Sequence, residues 1–405
     1  MLYRAYQAQR DMTMAMRAFA GLAVQHVDQL PDCLSENGSV RRLAAAYEIL
    51  SRAALTHERP PFAIDTVVVD GRAVAVREEA AAVTPFGTLL HFAKDAGESQ
   101  PAVLLVAPLS GHFATLLRNT VRTMLPEHDV YITDWHNARD VPAAHGPFGF
   151  DDYVDRLVDF LEVIGPDAHV VAVCQPCVAA LVATAVMAEA RHPAQPRSLT
   201  LMAGPIDTRV NPTAVNELAT SKPISWFEQH LIATVPGRYA GAGRRVYPGF
   251  LQLAAFMGMN VGRHLTAQRE LYTKLVNGER DRAEATKAFY DEYFAVLDLT
   301  AEFYLETVRL VFQEHCLPRG ELRLHDRPVD PRALTRTALL TIEGEHDDIC
   351  SVGQTVAAHD LCPGIRPHAR RHHLQAVVGH YGVFSGTRWQ NQIYPIVRNL
   401  ILANA

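Results

Sequence analysis

Cys174 follows an apolar run, His169-Val170-Val171-Ala172-Val173, and precedes a second one from Val178 to Glu189. The first has the length and β-branched content of a buried strand, the second those of a buried helix. A strand-to-helix turn suits a nucleophile, because the tight bend exposes its side chain and the unpaired amides of the helix start favour an anion. Here the turn reads Ala172-x-Cys174-x-Pro176. Taken alone, a free Cys is more commonly packed as a small hydrophobe. Two downstream segments shift that balance. Ala338-Leu-Leu-Thr-Ile-Glu-Gly-Glu-His-Asp347-Asp348-Ile349 reads as a short strand entering a carboxylate-bearing turn, and the segment from His372 to Gly382 reads as a last strand delivering His380 to a Gly-flanked loop. Cys174, Asp347 and His380 thus follow in the order nucleophile, acid, base, each at the C-terminal end of a strand pattern.

Such a set performs acyl chemistry. The helix start favours the Cys174 thiolate, His380 holds or removes the thiol proton and later activates water, and Asp347 fixes the imidazole tautomer. The backbone amides of Gln175 and of Leu109 or Ser110, in the turn after the Pro101 to Ala107 strand, are the expected oxyanion donors. Asp347 is preferred as the acid because it stands at Gly344-x-x-Asp; Asp348 and Glu345 remain open. Cys177, within the first helical turn, is expected to pack. Cys174-x-x-Cys177 is also the spacing of a redox dithiol, though such a site needs neither the acid turn nor the His loop. His368-x-x-x-His372 is spaced like a ligand pair, but with no second C-x-x-C a zinc site is weakly supported, and no metal or redox cofactor is expected. His112, His136, His372 and His373 read as strand or loop residues, with His112 near the oxyanion loop.

The chain of 405 residues is 48% hydrophobic and 20% charged, enough apolar content for a large core and ordinary for a globular enzyme. A net charge of -6 gives no electrostatic reason to bind nucleic acid, and the basic runs at Arg238, Arg244, Arg245 and from Arg366 to Arg371 read as solvated faces. Cysteines at 33, 174, 177, 316, 350 and 362 show no disulfide framework, which fits a reducing compartment. The N-terminus lacks a signal-peptide pattern and no run approaches eighteen apolar residues, so a cytoplasmic protein without a transmembrane segment is expected. The oligomeric state, a homodimer included, stays open.

The elements that must position these groups are legible in outline. Residues 1 to 60 read as helical up to Pro60-Pro61; Thr66 to Val76 reads as a hairpin folded at Asp70-Gly71, and Gly87 to Phe92 as a further antiparallel edge strand. Strands starting at Pro101, Val130, His169 and Ser198 then alternate with helices, among them Phe150 to Ile164 with apolar positions at Tyr153, Leu157, Leu161 and Ile164. This alternation predicts an α/β fold with a mostly parallel central sheet covered by helices on both faces. It stops after Thr208 and resumes near Ala338. The expected organisation is N-terminal helices and the first part of the core over 1–208, a helical lid insertion over 209–330, and the rest of the core over 331–405. Between Tyr247 and Met259 the insertion is rich in apolar residues that could adsorb to an apolar polymer.

The whole chain resembles the intracellular polyhydroxybutyrate depolymerases. The resemblance is carried by Val173-Cys174-Gln175-Pro176, Trp135 with Phe148-Gly-Phe-Asp-Asp-Tyr153, Glu343-Gly-Glu-His-Asp347-Asp348-Ile349 and Gly379-His380-Tyr-Gly-Val-Phe-Ser-Gly386. It implies an α/β-hydrolase fold and a carboxylic ester hydrolase that degrades amorphous poly-3-hydroxybutyrate granules in bacteria, with Cys174, Asp347 and His380 as its nucleophile, acid and base. Its partner would be the polymer surface of the granule. Polyester synthases share the fold and the thiol, but their elbow is Gly-x-Cys-x-Gly; Ala172 and Pro176 here argue against that activity. Acyl transfer to a thiol such as coenzyme A and a non-catalytic granule coat are the two other classes to be separated by experiment.

Overall fold

The computed structural model describes residues 2–31, 37–95, 97, 99–259 and 261–405. Two helices open the chain, α1 (Leu2–Asp28) and α2 (Gly38–Arg52), packed on one another. The hairpin of β1 (Thr66–Val69) and β2 (Arg72–Val83) turns at Asp70 and Gly71, whose φ values of 48° and 77° are those a two-residue turn between twisted strands requires. Strands β3 (Gly87–Lys94), β4 (Ala102–Val106) and β5 (Asp129–Trp135) follow, with helix α3 (Arg118–Met124) between the last two. Next come α4 (Phe150–Ile164), β6 (His169–Val173), α5 (Cys177–Glu189) and β7 (Ser198–Met202).

After β7 the chain leaves the central sheet. It forms α6 (Ala214–Thr220), α7 (Ile224–Leu231), β8 (Ala233–Thr234), β9 (Arg245–Tyr247), α8 (Gly249–Met259), α9 (Val261–Val276) and α10 (Arg280–Tyr293). Then β10 (Leu299–Thr300), α11 (Ala301–Thr307), β11 (Arg323–Leu324) and β12 (Arg327–Pro328) lead back to β13 (Ala338–Gly344), β14 (Arg370–Gln375) and the final helix α12 (Tyr394–Leu402). The segment expected to be helical therefore also carries a small antiparallel sheet, in the order β10-β9-β8, and the β11–β12 hairpin. Strands of two or three residues carry no readable period.

The central sheet has the order β1-β2-β3-β5-β4-β6-β7-β13-β14, antiparallel from β1 to β5 and parallel from β5 to β14. Among the described residues β1 and β14 form its edges; β3 lies inside it, a departure from the edge position read in the sequence, with residues from both of its faces buried. Strands β6, β7 and β13 are buried throughout, so residues of both faces are enclosed, the polar Ser198, Thr200, Thr341 and Glu343 included. One face of the sheet packs on α4 and α5, the other on α3 and α12. Helix α4 presents Tyr153, Val154, Leu157 and Leu161 at helical spacing, whereas α5, packed beside it, is buried along nearly its whole length and is apolar almost all round. The result is an α/β-hydrolase fold.

A buried carboxylate ties the N-terminus to the excursion between β7 and β13. Asp298 accepts from the Tyr3 hydroxyl (2.6 Å) and from the Gly249 amide at the start of α8 (2.9 Å), while its own amide donates to Asn137 (3.0 Å). Burial pushes its carboxyl up to about 6, against the opposing pull of the Tyr3 and Gly249 hydrogen bonds.

Candidate active site

At the end of β6 the backbone turns through Cys174, whose φ of 66° lies in the left-handed region that a residue with a Cβ rarely occupies. Such a conformation costs about 1–3 kcal/mol and persists only where the surroundings impose it. Here they do. The Cys174 amide donates to the Met202 carbonyl (2.7 Å), and its carbonyl accepts from Cys177 (3.1 Å) as α5 begins. Gly204 packs directly beneath: a Cβ at that position would fall 2.2 Å from the Cys177 Cβ and 3.1 Å from the Cys174 carbonyl oxygen. Cys174 is half-buried, whereas Cys177 is fully enclosed. The Cys177 thiol donates to the Ala172 carbonyl (3.3 Å), and burial raises it well above the usual thiol range.

His380 opens a short 3-10 turn, His380–Val383, in the loop after β14. Its Nδ1 lies 2.8 Å from Asp347 Oδ2, and both side chains are buried. The other carboxylate oxygen, Oδ1, accepts the Ile349 (2.9 Å) and Cys350 (2.8 Å) amides, so the loop after β13 holds the acid by its own backbone. Burial alone would push the His380 ring down; Cys174 and Asp347, which interact with the imidazole through charge and hydrogen bonding, outweigh it and hold the ring well above its ordinary range. A protonated imidazole is therefore favoured between Cys174 and Asp347.

The structure thus brings Cys174, His380 and Asp347 together and leaves the neighbouring carboxylates aside. Glu345 accepts the Val377 amide (2.8 Å) and, like Asp348, is exposed. The amides of Gln175, Leu109 and Ser110 find no acceptor among the described residues. His112 is buried beyond that loop, stacked on Tyr293 (5.2 Å) and Phe256 (6.0 Å), and burial pushes it down to about 4, only partly opposed by its hydrogen bond to the Tyr293 carbonyl. It is neutral and packs. His136 and His372 bond to Thr88 and Thr341 (both 2.9 Å), and His373 to Gln375 (3.0 Å). Among the described residues no group of three His, Cys, Asp or Glu is placed to hold a metal, and no helix is long and apolar enough to cross a membrane. Cys33 lies outside the described residues; the other five cysteines are free thiols.

Helix α10 reaches this site through aromatic rings. Tyr381 meets His380 edge-on (5.9 Å) and also contacts Tyr293 (6.4 Å) and Phe289 (6.3 Å) of α10. The stretch from Tyr247 to Met259, expected to offer an apolar surface, instead turns Tyr247, Phe250 and Leu253 inward, and of its large apolar residues only Met259 at its end is exposed. Exposed apolar side chains lie elsewhere on the helices, among them Met12, Met14, Met16, Phe19 and Leu22 of α1, Val261 and Leu265 of α9, and Phe289.

Three residues that build the site were not singled out from the sequence. Glu343, fully buried in β13, accepts three amides from the loop that follows Asp347; Thr355 of that loop bonds both the amide and the carbonyl of Gly204. The available signal was an acidic residue inside the apolar run from Ala338 to Gly344, where a buried strand has no use for a charge without partners.

Comparison with known proteins adds one family. The family model described as PHB de-polymerase C-terminus matches residues 203–405. No curated protein matches the chain. Among solved structures, the chain is similar to 2-hydroxy-6-oxo-6-phenylhexa-2,4-dienoate hydrolase from Rhodococcus sp. strain RHA1 (12% identity over 81% of this chain and 99% of that one, TM-score 0.43). It is also similar to the meta-cleavage product hydrolase of Pseudomonas fluorescens IP01 (15%, 84% and 98%, TM-score 0.42) and to naproxen esterase from Bacillus subtilis (13%, 91% and 99%, TM-score 0.39).

Proposed function

The chain belongs to the PHB de-polymerase family, and from that premise we propose that it hydrolyses the backbone esters of poly-3-hydroxybutyrate through a thioester on Cys174, releasing 3-hydroxybutyrate or its oligomers. The observation that carries this reading is the half-buried thiol at a left-handed strand-to-helix turn, beside a buried His380–Asp347 pair joined at 2.8 Å.

The thiolate of Cys174 attacks the ester carbonyl, forming a C–S bond and an oxyanion. The Gln175 amide and that of Leu109 or Ser110 donate to this oxyanion, each donor lowering the barrier by about 3 kcal/mol. As the intermediate collapses, the imidazolium of His380 gives its proton to the departing alkoxide and the shortened polymer leaves as an alcohol. A water then loses its proton to the neutral imidazole as it attacks the thioester; the C–S bond breaks, the acid is released, and the thiolate–imidazolium pair is restored. Asp347 keeps the ring oriented through both halves. Every proton and electron pair in this cycle is accounted for by these residues, the ester and water.

The exposed apolar side chains of α1, α9 and α10 supply a surface by which a cytoplasmic enzyme could hold to a polymer granule, and α8 to α10 serve as the lid above the thiol. The test is acid release from native amorphous poly-3-hydroxybutyrate granules by the wild type and by Cys174→Ala, without and then with coenzyme A. Release in plain buffer that disappears in the variant supports the hydrolase. Release only with coenzyme A assigns acyl transfer, and turnover that survives in the variant removes Cys174 from the mechanism.

A further inference from the structure

We propose that Glu343 is a positioning residue that registers the acid loop against the nucleophile turn, so that Asp347, His380 and Cys174 stay aligned. The inference rests on the triad reading above and concerns what holds that triad in place.

Glu343 is wholly buried near the end of β13. Its Oε1 accepts the amides of Thr355 (2.7 Å) and Val356 (2.9 Å), and its Oε2 that of Gly353 (3.0 Å). Among the described residues, the imidazole of the half-buried His372 lies 3.8 Å from Oε2. A buried carboxylate is tolerated only when its lone pairs are filled, and an apolar side chain of the same size would pack in a strand at lower cost. The charge therefore serves a geometry. Four residues along the chain Asp347 bonds the amides of Ile349 and Cys350. The two carboxylates thus hold the two ends of one loop, 349–356, and neither end can shift without breaking bonds to a buried charge.

The far end of this loop carries the connection to the thiol. Thr355 Oγ1 accepts from the Gly204 amide (2.9 Å) and donates to the Gly204 carbonyl (3.0 Å). Gly204 in turn lies so close under the elbow that no side chain fits between it and Cys177 or the Cys174 carbonyl. A shift of Thr355 would carry Gly204 with it and move the floor on which Cys174 is raised. Catalytic geometry is sensitive to displacements of about 1 Å, so the link acts on the chemistry without touching substrate.

The test reads the thiol itself. The pH dependence of Cys174 alkylation by iodoacetamide is measured on the full chain, with Cys174→Ala as the blank for the other thiols, in wild type, Glu343→Gln and Thr355→Val. Glutamine keeps the shape of Glu343 but turns a donor towards one of its amides; valine keeps the shape of Thr355 but releases Gly204. The expected result is an alkylation midpoint about one pH unit higher in both variants, a weaker thiolate–imidazolium pair, with kcat on a short soluble ester about tenfold lower, KM within about twofold and melting cooperative. If Glu343→Gln does not fold, Thr355→Val decides alone. Unchanged midpoints in folded variants overturn the positioning role. An ordinary thiol midpoint in the wild type overturns the triad reading, and the inference with it, which separates the two failures.

Discussion

The turn around Cys174 and the turn around Asp347 meet at His380, yet they are held by different forces. The elbow is fixed by contact: a strained φ of 66°, one hydrogen bond from the Cys174 amide, and a glycine beneath it against which no Cβ fits. The acid loop is fixed by charge: two buried carboxylates, Glu343 and Asp347, gather five backbone amides between them. Contact tolerates no added volume, and buried charge tolerates no lost acceptor. The same site should therefore fail in two distinguishable ways, by unfolding at the elbow and by losing turnover with the fold intact at the loop.

Cys174→Ala is expected to show the largest effect on turnover, about 10⁵-fold or to background, with the melting temperature unchanged or raised; acid release from granules checks it. Next, Asp347→Asn should lower kcat about a thousandfold, since the imidazole loses the acceptor that fixes its tautomer, while Asp348→Asn should stay within about twofold. Equal losses in the two would move the acid along the chain and dissolve the contrast. Gly204→Ala, a single methyl group, should cost about 3 kcal/mol or more of stability in a denaturant titration, more than any removal of a hydrogen bond in the acid loop that leaves the chain folded. A well-folded Gly204→Ala would mean that the elbow is softer than its packing implies.

The two regions are also coupled through protonation. The folded pKa of His380 is raised above its unfolded value, so the stabilisation it brings is complete below about 6.5 and is lost as pH climbs through the higher folded value. Since Cys174 is a cause of that shift, an NMR titration of Cys174→Ala should find His380 titrating lower than in the wild type. Identical titrations would uncouple the elbow from the loop. The smallest effect is expected of Cys177→Ala, which removes a packed sulfur and should cost about 1 kcal/mol while retaining most activity. A dead variant would revive the redox dithiol.

How much of this was legible follows from the same division. The elbow could be read because its strand and helix are continuous apolar runs, and a Cys between them interrupts the pattern. The acid turn and the His loop could be read because each ends a strand. Gly204 could not be distinguished from any glycine after a strand, because its partners in contact, Cys177 and Thr355, are 27 and 151 residues away. Glu343 was not singled out, because the carboxylates weighed as the acid, Glu345, Asp347 and Asp348, lie in the turn that follows it. In the excursion between β7 and β13, apolar content revealed helices, but only the folded chain shows which rings face Tyr381 and which side chains of α1 face outward.

The left-handed backbone at position 174 is set by everything around the residue and by nothing beyond its Cβ. Serine would meet the same strain, the same Met202 carbonyl and the same glycine floor. The turn can therefore hold a thiol or a hydroxyl on one scaffold, so that the identity of this residue bears on reactivity rather than on the fold.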